Sequence, residues 1–156
     1  MYQSLRVSAD GSATSDRCLL EAIKLGWLTR AKLLLIYAVD KLSFAMNGDY
    51  GVVGSVHVLG LLQEAGGEIL NKAKSVLLAS GLEVDTERSD SSGGRSCDPV
   101  LAHVGTSGAD LVGFGTRGQG GGRSVLMGSD AENVVGVSTL PLLLLHADPA
   151  AASLDA

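Results

Sequence analysis

Glycines spaced along one segment are the residues of this chain best suited to chemistry. Gly115-Thr-Arg-Gly118 is followed by nine residues and then by Gly128-Ser129, and eight of the 21 glycines lie between Gly108 and Gly128. Glycine lets the backbone approach a ligand closely and adopt positive φ. A glycine-rich turn that leads into a helix presents bare N–H groups to an anion, usually a phosphate. The segment therefore predicts a phosphate-binding loop.

Two common phosphate motifs do not fit this loop. Gly113-Phe-Gly115-Thr-Arg-Gly118 has the G-x-G-x-x-G spacing of a dinucleotide site, but Gln119-Gly-Gly-Gly122 follows where a helix should open. The next expected strand ends at His146, where a dinucleotide site needs an acidic residue. Gly122-Arg123-Ser124 resembles the end of a Walker-type loop, yet Arg117 occupies the leading glycine position and the lysine is missing.

The rest of the chain alternates between apolar strands and amphipathic helices that would position this loop. Strands are expected at 5–9, 31–39, 82–86, 109–114 and 140–146, and helices at 14–28, 55–80, after Asp98-Pro99, and at 129–137. Such alternation is typical of a single α/β domain, a Rossmann-like parallel sheet with helices on both faces. We expect residues 1–148 to form this domain and 149–156 to form a short flexible tail.

Local signals indicate where these elements begin, weaken and end. Ser12 or Ser15 is suited to cap the first helix, and Gly81 is suited to end the second. Gly66-Gly67 lies inside the second helix, where each glycine costs about 1 kcal/mol relative to alanine, so a kink could form there. The strand at 82–86 is less apolar than the others, which favours the sheet edge, and 89–96 is predicted to be a loop.

Three strand ends carry the residues expected to form a site. Asp10 follows the first strand, Asp40 the second, and the glycine-rich loop the fourth. Ligands bind beyond the carboxyl ends of parallel strands, where the strand order reverses, so these residues should meet in one crevice. Asp10 has a second interpretation, because an aspartate there can also begin a turn or cap the first helix.

Composition narrows the class of function. The chain has 156 residues, a net charge of −5, 46% hydrophobic and 19% charged residues, which predicts a soluble protein and argues against nucleic acid or an anionic membrane as partner. There is no signal-peptide pattern, and Cys18 and Cys97 are expected to be free thiols, so a cytoplasmic location is expected.

The histidines lack metal-ligand spacing; they are His57, His103 and His146. No catalytic constellation is evident, so dedicated catalysis is not expected.

The full spacing, Gly115-x2-Gly118-x9-Gly128-Ser129, resembles the nucleotide-binding signature of the universal stress protein family, in its ATP-binding branch. Four strands are also similar to the family's over about residues 2–147: Leu5 to Asp10, Leu34 to Asp40, Ala109 to Val112 and Leu140 to Leu145. The resemblance implies a five-stranded sheet of order 3-2-1-4-5 and an ATP-binding protein with a regulatory role in the stress response. It also implies a homodimer that pairs through the last strand, Leu140 to Leu145.

The resemblance further implies residue roles. Ala9, Asp10 and the backbone around Ala38 would face adenine and ribose, and Phe114 and Gly115 would line the nucleoside side. Gly118, Gly128 and Ser129 would hold the phosphates. Arg117 and Arg123 are the cations of the loop and either reach a phosphate or remain solvated. Asp10 and Asp130 are candidates to hold a Mg²⁺ that accompanies ATP, and at most slow, incidental ATP hydrolysis is expected to follow.

Three positions depart from the family pattern and keep a second function open. Asp130 replaces a small apolar residue in the first helical turn, where a carboxylate occupies the positive field that would hold phosphate. Ser8 replaces a frequent proline, and Gly120-Gly-Gly122 adds conformational freedom to the loop. We therefore expect weaker ATP binding, with a dimeric interaction scaffold that has lost ATP binding as the alternative.

Overall fold

The computed structural model describes residues 1–39, 52–90, 108–116, 127 and 129–146. The chain alternates strands and helices in this order: β1 (Ser4–Ser8), α1 (Ala13–Thr29), β2 (Lys32–Val39), α2 (Val52–Ala79), β3 (Val84–Asp90), β4 (Leu111–Gly115), α3 (Ser129–Val137) and β5 (Leu142–Leu145). All strands are parallel, in the order β3-β2-β1-β4-β5. This confirms the predicted fold. The helix expected after Asp98-Pro99 lies outside the described residues.

The two faces of the sheet have separate apolar cores. On one face, alternate strand residues such as Leu5, Leu33 and Leu35 pack against α1 and α2, which contribute Cys18, Leu19, Ala22, Leu70, Ala73 and Leu77. On the other face, Ile36, Val112 and Phe114 pack against Ala131 and Val134 of α3. Strands covered on both sides read as continuous apolar runs, which is why β2 and β4 are so apolar in sequence.

Helix α1 has well-defined ends. Ser12 is the N-cap, and its Oγ accepts a hydrogen bond from the backbone N–H of Ser15 at 3.2 Å. Of the two serines proposed as caps, Ser12 has this role. At the other end Arg30 adopts a left-handed φ of 59°, and the N–H of Ala31 donates to the carbonyl of Gly26 at 3.2 Å. Gly81, with φ of 79°, lies just past the end of α2, as predicted.

Helix α2 continues through Gly66-Gly67 without interruption. Gly66 faces the ring of Tyr37 in β2, and a Cβ atom at Gly66 would lie only 2.1 Å from Tyr37 Cε1. The structure thus gives Gly66 a packing function that its sequence neighbourhood does not reveal, since Tyr37 is far from it in the chain. The glycine lets α2 approach the sheet at the point where β2 carries its largest side chain.

Strand β3 lies at one edge of the sheet, as predicted, but its bounds differ from those expected. It runs from Val84 to Asp90 rather than over 82–86, because all seven residues pair with Leu33 to Val39 of β2. The prediction of a loop from residue 89 is therefore wrong for Ser89 and Asp90. Backbone pairing with a long neighbour extends β3 through residues whose side chains are polar.

The start of β4 is tied to the start of β1 by one carboxylate. Asp110 accepts hydrogen bonds from the backbone N–H groups of Gln3 at 2.7 Å and Ser4 at 3.0 Å. The amide of Asp110 in turn donates to the carbonyl of Ser4 at 3.1 Å. These contacts set the register between the two central strands, whose opposite ends carry the candidate site.

Among the helices that the structure describes, none combines the length and the apolar character that a membrane span requires.

Candidate functional site

The strand order places the carboxyl ends of β1 and β4 side by side. From β1 the chain continues to β2 on one side, whereas β4 and β5 lie on the other, so the order reverses between β1 and β4. Ala9 extends the ladder beyond β1, because its N–H donates to the carbonyl of Ile36 at 2.9 Å. Ala9, Asp10 and Gly115 are therefore brought to the same edge, where parallel sheets bind ligands.

Asp10 organises the turn that follows β1. Its Oδ1 accepts a hydrogen bond from the N–H of Ser12 at 2.8 Å, and its own N–H donates to Ser15 Oγ at 3.2 Å. Ser15 Oγ then donates to the carbonyl of Ser8 at 3.0 Å, and Gly11 supplies the positive φ of 77°. The turn-forming interpretation of Asp10 is thus correct for one carboxylate oxygen. Among the described residues, no hydrogen bond engages the other oxygen, Oδ2.

Gly115 lies directly against the first turn of α1. A Cβ atom at this position would lie 2.7 Å from Thr14 Oγ1 and 2.8 Å from the backbone nitrogen of Ser15. Any side chain would push β4 away from the helix. Phe114, by contrast, is buried in the core beneath α3, so its backbone rather than its ring is the part nearest to the carboxyl edge.

Thr116 and His146 form a contact that the sequence analysis did not identify. Thr116 is 1% exposed, and both its N–H (2.9 Å) and its Oγ1 (3.0 Å) donate to the carbonyl of Leu145. Thr116 Oγ1 also lies 3.2 Å from His146 Nδ1, while Arg17 Nη1 donates to the His146 carbonyl at 2.6 Å. The available signal was the position of Thr116, a hydroxyl residue at the first position after β4.

Two further buried polar side chains, Tyr37 and Arg6, were not predicted from the sequence. Tyr37 is buried, and its pKa is raised, mainly by that burial and further by the negative charge of Asp10. Arg6 in β1 is buried as well, and its Nε and Nη1 have no hydrogen-bond partner among the residues that the structure describes. Burial lowers the pKa of Arg6, and the carboxylate of Glu87 partly opposes this. A polar residue within an apolar strand was the only sequence signal for either of them.

The remaining predicted residues divide into two groups. Ala38 pairs with Ser89 near the end of β2, and Ser129 and Asp130 open α3 at the predicted residue. The others lie outside the described residues: Asp40, Arg117, Gly118, Arg123 and Gly128. Within the described ranges, no group of three or more histidine, cysteine, aspartate or glutamate side chains is placed to hold a metal ion.

Comparisons with known proteins agree with this architecture. The universal stress protein MJ0531 of Methanocaldococcus jannaschii is 28% identical over 148 residues, covering 93% of this chain and 82% of the relative. The solved structure of the hypothetical protein MJ0577 has a TM-score of 0.83 at 19% identity, covering 96% of this chain and 99% of that one. The universal stress protein from Archaeoglobus fulgidus in complex with dAMP has a TM-score of 0.65 at 17% identity, covering 92% and 98%.

The match to a family model is nearly as long as the chain. It extends over residues 1–146, from the segment before β1 to the histidine that follows β5. It thus includes both the Asp10 turn and the whole glycine-rich segment from Gly115 to Ser129. This chain belongs to the universal stress protein family.

Proposed function

We propose that this protein binds an adenine nucleotide, ATP, at the carboxyl edge of β1 and β4. In this proposal it acts in the stress response by changing conformation or binding partners rather than by dedicated catalysis. The observation that carries the proposal is the contact of Gly115 with the first turn of α1, next to the Asp10 turn. It brings the start of the glycine-rich segment to the residues expected to face the nucleoside.

The chemistry of the residues suits the parts of a nucleotide. Asp10 Oδ2, which accepts no hydrogen bond from the described residues, can accept hydrogen bonds from ribose hydroxyls, and it is also a suitable ligand for a Mg²⁺ that accompanies ATP. The first N–H groups of a helix have no partner within the helix, so α3, which begins at Ser129, can offer them and a positive field to phosphates. A relative of the same fold, from Archaeoglobus fulgidus, forms a complex with dAMP, which supports an adenine nucleotide as the ligand.

Thermal unfolding with and without Mg-ATP, beside AMP and NAD, tests the proposal. A ligand at about 100 times its dissociation constant adds about 2.7 kcal/mol, which raises the melting temperature of a domain of this size by several degrees. We expect a rise with ATP and none with NAD. Equal melting temperatures with and without every nucleotide would reject nucleotide binding.

Variants of Asp10 and Gly115 locate the site. Asp10→Asn keeps an oxygen for the Ser12 N–H but removes the charge, so it should weaken ATP binding with little effect on stability. Asp10→Ala removes both the charge and the oxygen that accepts from the Ser12 N–H, so it should also destabilise the turn. Gly115→Ala should weaken binding because its Cβ meets the α1 backbone, whereas Gly136→Ala has open space around it and serves as the control.

The alternative is a dimeric interaction scaffold that has lost ATP binding, and the place of Asp130 favours it. Asp130 lies in the first turn of α3, where a carboxylate competes with phosphate for the helix N-terminus. Asp130→Val should tighten ATP binding if the site is functional but weakened. If neither the wild type nor this variant binds ATP while the protein remains dimeric, the scaffold is the better description. In either case we infer a cytoplasmic protein that acts as a homodimer.

A further inference from the structure

We propose that His146 is a positioning residue for the glycine-rich loop and acts through the hydroxyl of Thr116. Thr116, His146 and Arg17 together form what we term the loop latch, which joins the end of β4, the end of β5 and helix α1. The consequence for ligand affinity rests on the proposed function, because the loop that begins at Thr116 is the one assigned to phosphate. The hydrogen bonds of the latch are a property of the protein without ligand.

The hydrogen bonds of Thr116 determine which ring nitrogen of His146 carries a proton. The hydroxyl of Thr116 has one proton, which it donates to the carbonyl of Leu145 at 3.0 Å. Its oxygen can therefore only accept from His146 Nδ1, 3.2 Å away. His146 must therefore carry a proton on Nδ1. In the neutral ring, Nε2 then has no proton. Thr116 is 1% exposed, whereas His146 itself is exposed, so the ring covers the hydroxyl from the solvent side.

Arg17 holds the same segment from the helix side. Its Nη1 donates to the carbonyl of His146 at 2.6 Å, across 129 positions of sequence. Arg17 lies one turn after Thr14 and Ser15, the two residues against which Gly115 packs. Residues 145 and 146 are thus bound by β4 on one side and by α1 on the other, and α1 also contacts the start of the loop.

The latch matters because the sequence that follows it is rich in glycine. Gly118 and Gly120 to Gly122 follow Thr116 closely in sequence, and glycine restricts the backbone least. The side chain of Thr116 is therefore the last described anchor before those glycines. We infer that the position of Thr116 fixes where the glycine-rich segment begins. Affinity should then depend on His146 through Thr116.

Calorimetric titration with ATP of four proteins tests this: wild type, His146→Ala, His146→Asn and His146→Gln. The asparagine amide nitrogen occupies about the place of Nδ1, and the glutamine amide nitrogen that of Nε2. We expect His146→Ala and His146→Gln to weaken ATP binding by about three- to tenfold, the worth of one hydrogen bond. His146→Asn should stay within about twofold of wild type. Equal affinities for alanine and asparagine would overturn the proposal.

Arg17 gives an independent test from the other side of the latch. Arg17→Ala should weaken ATP binding to a similar extent, because it releases the carbonyl of His146. Lys24→Ala is the matched control: Lys24 is an exposed cation on the same helix and pairs only with Glu21 among the described residues. We expect no change for Lys24→Ala. An equal loss of ATP affinity in both variants would show that the effect comes from charge. That result would reject the latch.

Nitrogen NMR of the ligand-free protein separates the latch from the nucleotide site. The ring of His146 should show its proton on Nδ1, and the amide of Thr116 should exchange slowly in wild type and faster in His146→Ala. If the wild type fails to bind ATP but these signals are seen, the proposed function is rejected and the latch is kept. If ATP binds while the proton resides on Nε2, the latch is rejected and the function is kept.

Discussion

At the scale of single residues, Arg6 is the least expected feature of the molecule. It lies in β1 between Leu34 of β2 and Val112 of β4 and is 3% exposed, and within the described part of the chain its nitrogens Nε and Nη1 have no hydrogen-bond partner. Burying a charged group without hydrogen bonds is costly, and the only described carboxylate that offsets the charge is Glu87. Such a residue lowers the stability of the sheet that contains it.

Replacing Arg6 by leucine should therefore not destabilise the protein. We expect Arg6→Leu to raise the free energy of unfolding by about 1–3 kcal/mol, the cost of a buried polar group without hydrogen bonds, because the half-buried Glu87 can be hydrated. Glu87→Gln should lower it, because the guanidinium keeps its charge but loses its carboxylate. Denaturant titration measures both. A loss of stability in Arg6→Leu would show that the guanidinium has partners that compensate its burial.

Cys18 provides a pH-dependent prediction. Its thiol is fully buried against Gly113, and burial, helped by Glu21, raises its pKa to about 12 from the ordinary 9.0. The unfolded thiol therefore ionises first, so the stabilisation is present below pH 9 and is lost as the pH rises toward 12. The loss should be at most about 1.4 kcal/mol per pH unit.

A variant without this thiol isolates the effect from other titrating groups. The difference in unfolding free energy between wild type and Cys18→Ala should shrink from about pH 8.5 to about pH 11, measured by denaturant titration. Tyr37, whose pKa is also raised, is present in both proteins and cancels in the difference. A difference that stays constant over this range would contradict burial of the neutral thiol.

At the scale of elements, two of the four glycines in α2 have opposite roles. Gly60 is exposed, and a Cβ atom added there would meet nothing within 4 Å, whereas Gly66 touches the ring of Tyr37. Both reduce helix propensity equally, since propensity depends on the residue and not on its tertiary neighbours. Only the contact with β2 distinguishes them.

Alanine at each position should give opposite results. Gly60→Ala should stabilise the protein by up to about 1 kcal/mol through helix propensity. Gly66→Ala should destabilise it by about 1–3 kcal/mol, because its Cβ would lie 2.1 Å from a buried ring and either α2 or Tyr37 must move. Thermal unfolding of the two variants side by side measures this. Stabilisation by both would mean that Tyr37 finds another rotamer at little cost.

At the scale of the whole molecule, β5 leaves one side of the sheet open within the described residues. The carbonyls of Pro141 and Leu145 accept hydrogen bonds from Val112 and Thr116. Alternation along a strand then directs the N–H and C=O groups of Leu142 and Leu144 away from β4, toward the edge. The half-buried leucines of β5 and this unpaired row are suited to pairing with a second copy of the chain.

A single outward amide tests the proposed dimer. Leu144→Pro removes that N–H without removing a bond to β4, so it should convert a dimer into a folded monomer. Leu144→Val keeps the N–H and should remain dimeric. Sedimentation velocity gives the mass, and circular dichroism verifies the fold. A wild type that sediments as a monomer at micromolar concentration, or a proline variant that stays dimeric, would exclude pairing through β5.

Much of the fold could be predicted from the chain alone, because local pattern reports which faces of an element are buried. The periodicity of 129–137 placed α3 at its observed bounds, and the apolar run before Val39 identified β2. The sheet order and the site region followed from the resemblance of the glycine spacing and four strands to one family. The local signals need only near neighbours in sequence, and the observed elements and sheet order confirm the predicted fold.

Tertiary structure alone decided the contacts between distant residues. The length of β3 depends on its pairing with β2, the function of Gly66 on a tyrosine in another element, and the latch on Thr116 meeting His146 and Arg17. None of these has a local signature, because a hydrogen bond or a close contact depends on which elements are adjacent. That adjacency is set when the strands assemble in their order and the helices pack against the two faces of the sheet.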